Sequence, residues 1–206
     1  MDTTRLFELS IHHEINKSLA NNLLPIAKKF LNQEKHLTNE WGYKNTYSVD
    51  LGLAGENELD FFVNYVLDLA YTYMNKKHLK LKENLKLWVS IFASEMFVGD
   101  RHSYHDHPGS LISGLIYLQV PPGSSNLEFF NPRSTNRVWS ELLDENTYAH
   151  ETDVIKIKNN QNIEIKPTTG LLLFWESWAD HQVLENQSKE GRITMVFNVG
   201  VDNERV

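Results

Sequence analysis

Residues 170–200 read GLLLFWESWADHQVLENQSKEGRITMVFNVG, and their pattern decides the fold class. An apolar segment ends at Trp175, a polar loop follows, and a last apolar segment begins at Arg192, eleven residues after His181. In that last segment one face carries Ile193, Met195, Phe197 and Val199, and the other carries Arg192, Thr194, Val196 and Asn198. Because side chains alternate between the two faces of a strand, we expect the first face to pack beneath helices and the second to point into the mouth of a barrel.

The rest of the chain divides into a helical first half and a second half with the periodicity of strands. Helical spacing of apolar residues runs over roughly 15–31, where Pro25 is expected to kink or restart the helix, and again from Leu59 to Met74. Short segments rich in β-branched and aromatic residues follow, separated by Pro and Gly turns, at 85–93, 113–120, 126–130, 153–158, 162–166, 170–175 and 192–199. Helices followed by many short strands predict an α+β, mainly β fold: an antiparallel sandwich or open barrel backed by N-terminal helices. We expect one domain over 1–206, with a mainly helical cover at 1–84 and a β core at 85–206.

Composition excludes several classes of function. The chain has 20 Lys and Arg against 27 Asp and Glu, so its net charge of −7 gives no driving force for gripping nucleic acid or an anionic membrane. The absence of cysteine excludes disulfides, thiolate zinc sites, iron–sulfur clusters and a cysteine nucleophile. No secretory signal is recognisable, and the apolar run at 171–175 is far too short to span a membrane, so we expect a cytoplasmic protein. An exposed strand edge would be compatible with a homodimer.

Histidines cluster in RHSYHDHP, residues 101–108. On an extended backbone, residues two apart share a face, so His105 and His107 can approach one metal from the same side, while Asp106 points away unless the following Pro108-Gly109 turn twists it inward. A histidine pair of this kind suits first-row transition metals, and the iron of a facial-triad site is a leading candidate. The alternative is a solvated histidine-rich loop.

Arg192 is the second unusual residue, because its predicted face points inward. A buried guanidinium needs an anionic partner to offset its desolvation, and its planar fork matches a carboxylate. The hydroxyl of Thr194, on the same face, can satisfy a remaining lone pair of that carboxylate. The alternative is an edge strand with Arg192 in solvent.

The ordered set of motifs resembles a known enzyme superfamily. His105-x-His107 before SGLIYL, Pro167-x-x-Gly170-LLLF, His181 and Arg192-x-Thr194 are similar to the non-haem Fe(II) and 2-oxoglutarate-dependent oxygenases. These enzymes carry His-x-Asp/Glu, a distal His and a following Arg-x-Ser on a double-stranded β-helix, a jelly-roll or cupin-like core. The similarity covers nearly the whole chain and is strongest to a 2OG-Fe(II) oxygenase group with an H-x-H-P-x-S-x-x-S-G-x-x-Y motif, here residues 105–117.

The resemblance implies a function and assigns roles to residues. It implies a dioxygenase that uses Fe(II), 2-oxoglutarate and O2, hydroxylates an unactivated C–H bond and releases succinate and CO2. His105 becomes the first metal ligand and His181 the distal one, while Arg192 pairs with the C5 carboxylate of 2-oxoglutarate, helped by Thr194. The phenol of Tyr117 either helps to bind that carboxylate or fills the barrel core. Asn198 is a further candidate to line the mouth of the barrel where 2-oxoglutarate binds. The sequence does not identify the substrate, which is a small molecule or a peptide.

One departure from the superfamily concerns the third ligand. The usual carboxylate two residues after the first histidine is replaced by His107, and Asp106 stands one position early. Either His107 completes a neutral three-histidine face, which strand geometry favours, or a twisted loop brings in Asp106. A three-histidine face is also found in cupin-like dioxygenases or isomerases that do not use 2-oxoglutarate. That class, and a non-catalytic jelly-roll binding module, are therefore the alternative functions.

Overall fold

The computed structural model describes residues 9–33, 37–38, 43–48, 50–131, 155–158 and 162–202. Two α-helices, α1 (Lys17–Leu31) and α2 (Asn57–Lys76), and a 3-10 turn (Leu51–Leu53) lie among the strands. The strands are β1 (Ile11–Ile15), β2 (Leu37–Thr38), β3 (Lys44–Asn45), β4 (Lys86–Met96), β5 (His102–His105), β6 (Ile112–Gln119), β7 (Leu127–Phe130), β8 (Ile155–Lys158), β9 (Asn162–Ile165), β10 (Leu171–Glu176), β11 (His181–Val183) and β12 (Arg192–Asp202).

The strands form two antiparallel sheets. The major sheet has the order β1-β10-β6-β12-β4-β3-β2, and the minor sheet has the order β5-β11-β7-β9-β8. This confirms the predicted mainly β fold with a double-stranded β-helix core and backing helices. The single domain over 1–206 and its division at residue 84 stay predictions.

The two helices cover the outer face of the major sheet. One buried apolar cluster contains residues of both helices and the face of β12 formed by Ile193, Met195, Phe197 and Val199, as the alternation predicted. Leu19, Leu23 and Ala27 supply the buried stripe of α1. Pro25 lies within α1 on its exposed face, so the helix continues through it instead of ending there. A helix tolerates this proline because the carbonyl that loses its partner faces water.

A second apolar cluster fills the space between the two sheets. The major sheet contributes Tyr117, Leu173 and Trp175, and the minor sheet contributes Phe129 and Val183. The candidate functional side chains lie in this inner layer. No helix in the described ranges is long and apolar enough to cross a membrane.

Gly114, in the middle of β6, allows the strands beside it to pack closely. It lies across from Phe174 of β10 and Phe197 of β12. A Cβ atom at this position would lie 2.2 Å from Cζ of Phe197 and 2.5 Å from the carbonyl oxygen of Leu173. Close packing of the strands therefore requires glycine at position 114, in the Ser113-Gly114 pair of the motif at residues 105–117.

Gly114→Ala is expected to lower the free energy of unfolding by about 1–3 kcal/mol, the usual cost of overpacking a core. Urea denaturation followed by circular dichroism measures this loss. Ser48→Ala, at an exposed turn, is the control and should change the free energy of unfolding by less than about 0.5 kcal/mol. Equal stability of the two variants would contradict the packing described around Gly114.

Candidate metal centre and co-substrate pocket

Three histidines from separate parts of the chain meet at one end of the inner layer. His105 ends β5 and lies directly across from His181, which begins β11. His107 follows β5, and its backbone N–H donates to the carbonyl oxygen of Ser177 at 3.0 Å. One ligand nitrogen from each of the three rings lies within 4.8 Å of the other two. The structure thus brings His105, His107 and His181 together, in a group that can hold one metal ion.

Hydrogen bonds to the backbone orient two of these rings. Nδ1 of His105 lies 2.7 Å from the carbonyl oxygen of Ser103, and Nδ1 of His181 lies 2.7 Å from that of Ala179. A carbonyl oxygen only accepts, so both Nδ1 atoms carry the proton and both Nε2 atoms keep a free lone pair. Nε2 of His107 lies 3.3 Å from Nε2 of His181. The three rings therefore present Nε2 atoms to a shared point, with the backbone fixing the tautomers of two of them.

Burial keeps the three imidazoles neutral. It lowers the pKa of His107 to about 4, and the neighbouring His105 adds to this shift. Burial, together with His105, holds the pKa of His181 well below its ordinary value. The pKa of His105 is also lowered by burial, against the opposing effect of the Ser103 carbonyl. Neutral imidazole is the form that binds a metal, so the site is prepared for one near pH 7.

Asp106 lies between two of these histidines but is exposed. The group of possible ligand atoms that lie within 4.8 Å of one another includes a nitrogen of His107 and no oxygen of Asp106. The geometry therefore favours His107 over Asp106 as the third ligand, although the ligand assignment remains a proposal.

Arg192 lies in the cavity that the three histidines line, together with Thr194. Arg192 is 1% exposed, and its Nη1 lies 3.4 Å from Sδ of Met96. In the described part of the chain, neither its Nε nor its Nη2 has a hydrogen-bond partner. Burying a guanidinium without an anion is costly, so the cavity is built for an anionic ligand.

Tyr117 lies beneath this guanidinium. The guanidinium carbon of Arg192 is 4.9 Å from the centroid of the Tyr117 ring, within the range of a cation–π contact. The Tyr117 hydroxyl is buried and lacks a hydrogen-bond partner among the described residues. The hydroxyl of Thr194 pairs with that of Ser94 at 2.7 Å. Tyr117 thus supports Arg192 through its ring and keeps a hydroxyl available for the same anion.

A family comparison identifies the chain. The model of the family described as "Putative 2OG-Fe(II) oxygenase" matches residues 86–198, which is more than half of the chain. The chain belongs to this 2OG-Fe(II) oxygenase family. It is therefore a 2-oxoglutarate-dependent oxygenase, an oxidoreductase whose cofactors are Fe(II) and 2-oxoglutarate.

Solved structures with the same fold include several oxygenases. A prolyl-4-hydroxylase of Pseudomonas putida is 12% identical with a TM-score of 0.64, and the match covers 91% of both chains. The α-ketoglutarate-dependent epimerase SnoN from nogalamycin biosynthesis is 14% identical with a TM-score of 0.63, covering 92% of this chain and 76% of SnoN. HygX from Streptomyces hygroscopicus, solved with nickel and 2-oxoglutarate, is 10% identical with a TM-score of 0.58, covering 93% of this chain and 83% of HygX. A search of curated protein sequences gives no match.

The residues of this oxygenase fit the cofactors of its family. Three neutral nitrogen donors suit Fe(II), and a buried guanidinium with unused donors suits the carboxylate of 2-oxoglutarate. His105, His107 and His181 would hold the iron, and Arg192 would hold the distal carboxylate.

Asn198 lies elsewhere in the oxygenase than its predicted place in the co-substrate mouth. Its Oδ1 accepts a hydrogen bond from the Ser113 hydroxyl at 2.7 Å, and that hydroxyl lies 2.8 Å from the hydroxyl of Ser177. Asn198 is not among the residues that line the cavity. The geometry gives no support to a contact between Asn198 and 2-oxoglutarate. Instead, Asn198 is linked through Ser113 to Ser177, whose carbonyl oxygen accepts a hydrogen bond from the N–H of His107.

Two residues outside the predicted set of site residues, Tyr43 and His102, also line the cavity. The hydroxyl of Tyr43 lies 3.3 Å from Nδ1 of His102, whose ring stacks on His105 at 3.8 Å. Burial, with the neighbouring histidines, lowers the pKa of His102 to about 3. A regular strand would place His102 and His105 on opposite faces, but the pairing of β5 with β11 is irregular at this point. The histidine-rich motif was the only available signal for His102, and no pattern marked Tyr43.

Proposed function

We propose that this oxygenase hydroxylates an unactivated C–H bond of a small-molecule or peptide substrate and converts 2-oxoglutarate to succinate and CO2. We assign the iron to His105, His107 and His181, and the distal carboxylate of 2-oxoglutarate to Arg192. The observation that carries this proposal is the unpaired, buried guanidinium in the same cavity as the three converging imidazoles.

Charge balance supports the assignment. Three neutral imidazoles leave the two positive charges of Fe(II) uncompensated and the guanidinium of Arg192 adds a third, so the dianion of 2-oxoglutarate offsets two of these three charges. The guanidinium of Arg192 offers a bidentate fork to the distal carboxylate, and the hydroxyls of Thr194 and Tyr117 can donate to its remaining lone pairs. The co-substrate would thus supply the anion that the buried Arg192 requires.

The chain's own residues orient and shield the reacting groups. When bound, iron and 2-oxoglutarate supply the oxidising chemistry, in which O2 is consumed. The backbone carbonyls of Ser103 and Ala179 hold two imidazole rings in place. Leu115, Leu127 and Val183 form apolar walls of the cavity. None of these roles requires a side chain to act as a general base.

Succinate formation tests the proposal. Aerobic incubation of the protein with Fe(II), 2-oxoglutarate and a panel of amino acids, peptides and small metabolites should release succinate well above a metal-free control. A protein that binds Fe(II) but never releases succinate above that control would overturn the proposal in favour of a cupin-like enzyme or a binding module.

The remaining expectations concern partners and location. We propose that the enzyme acts in the cytoplasm, without nucleic-acid or membrane partners, because its net charge of −7 disfavours binding to either polyanion. The homodimer also stays a prediction. Cell fractionation and light scattering would test these points.

A further inference from the structure

Trp175 carries a buried hydrogen-bond donor that the proposed site does not use. Its side chain lies in β10, is 3% exposed and lines the same cavity as the three histidines and Arg192. The indole N–H can only donate, and within the described ranges it has no acceptor. Buried polar groups are nearly always paired in folded proteins, so an unpaired donor at a cavity wall indicates a ligand that supplies the acceptor.

The strand register places Trp175 at the metal end of the cavity. Trp175 lies across from Ser113 of β6, whereas Tyr117 of β6 lies across from Thr194, next to Arg192. The two positions are four residues apart on β6, which is about 13 Å of extended backbone. The Trp175 ring centroid is 5.0 Å from that of His181. The cavity therefore has donors at two ends: the guanidinium at one, and the indole N–H beside a metal ligand at the other.

We propose that the indole N–H of Trp175 donates a hydrogen bond to the carboxylate of 2-oxoglutarate that lies next to the metal. This inference rests on the proposed function, and it adds a second point of recognition. Arg192 selects the distal carboxylate, and Trp175 selects the carboxylate of the 2-oxo acid head. Because a carboxylate has two oxygens, one that is bound to a metal still has lone pairs for a donor.

The burial of Trp175 favours the co-substrate over the primary substrate as its partner. A side chain that is 3% exposed is closed off from solvent, and so is the guanidinium of Arg192 at 1%. By contrast, Trp178, three residues further along the same segment, is 47% exposed. A ligand enclosed between the two buried donors matches a co-substrate better than a substrate that enters from solvent.

Indole NMR signals test the proposal without any turnover. The chain has five tryptophans, so a 15N-labelled sample loaded with Zn(II) should show five indole N–H signals, and Trp175→Phe identifies the one from Trp175. Addition of 2-oxoglutarate should move that signal downfield, and so should pyruvate, which keeps the 2-oxo acid head but lacks the distal carboxylate. Glutarate, which lacks the 2-oxo group, should leave the signal close to its starting position. A Trp175 signal that stays still when 2-oxoglutarate binds, or that follows glutarate and not pyruvate, would overturn the proposal.

Affinity measurements give an independent readout. Titration calorimetry on the Mn(II)-loaded protein should show about tenfold weaker 2-oxoglutarate binding for Trp175→Phe, the usual effect of removing a hydrogen bond to a charged group. Mn(II) affinity should not change. Trp178→Phe makes the same chemical change at an exposed position and should bind 2-oxoglutarate like the wild type. Equal affinity in both variants would overturn the role of Trp175, whereas a metal-loaded wild type that binds no 2-oxoglutarate would overturn the proposed function itself. If Trp175→Phe does not fold, replacing the other four tryptophans with phenylalanine one at a time identifies the Trp175 signal by elimination, and the wild-type spectra with and without ligand then decide the question.

Discussion

Replacing His181 with alanine is expected to abolish metal binding and, with it, all succinate formation. His181 is 3% exposed, and because its Nδ1 is bonded to the Ala179 carbonyl, its Nε2 is the nitrogen free to bind a metal; alanine removes that nitrogen. Loss of a residue that merely orients a ligand weakens metal binding about 10- to 100-fold, and loss of a ligand should cost at least the upper end of that range. Titration with Mn(II), followed by electron paramagnetic resonance, measures the affinity.

His13→Ala is the matched control for this experiment, because His13 is exposed and lies outside the cluster. It should leave the Mn(II) affinity unchanged. The same titration distinguishes the two candidates for the third ligand: His107→Ala should lose the metal as His181→Ala does, whereas Asp106→Ala should keep it. Loss of metal in Asp106→Ala with retention in His107→Ala would show that the loop twists the carboxylate inward when metal binds.

Arg192→Met should have opposite effects on ligand binding and on stability. Two charge-assisted hydrogen bonds to a carboxylate are lost, so the Kd for 2-oxoglutarate on Mn(II)-loaded protein should rise at least about 100-fold. The ligand-free protein should become more stable, because a guanidinium with unpaired nitrogens is replaced by an apolar chain of similar length. Calorimetric titration measures the first effect and thermal unfolding without ligand measures the second.

Arg192→Lys separates charge from geometry in the same experiment. Lysine keeps the positive charge but lacks the planar fork, so its Kd should lie between those of the wild type and Arg192→Met. Mn(II) affinity should be unchanged in both variants. A 2-oxoglutarate Kd unaffected by Arg192→Met would show that Arg192 does not hold the distal carboxylate.

Local alternation predicted the parts of the site that lie on regular strands. The two faces of β12 follow directly from the two-residue period of a strand, so the sequence alone predicts that Arg192 and Thr194 point inward. His107 lies beyond the end of β5, so its place beside His105 is not a consequence of strand alternation alone. The family resemblance, rather than periodicity, joined His181 to that pair across 74 residues of chain.

The remaining parts depend on how separate segments meet. His102 reaches the cavity where the pairing of β5 with β11 is irregular, and no sequence period predicts such an irregularity. Asn198 shares a face with Arg192, but alternation gives only the face and not the distance along the strand. Its contact with Ser113 depends on the register between β12 and β6, which is a property of the folded sheet.

The site divides its tasks between the two sheets. His105 and His181 belong to the minor sheet, whereas Arg192 belongs to the major sheet. A molecule of 2-oxoglutarate, joined to iron at one end and to Arg192 at the other, would act as a cross-brace between the two halves of the barrel.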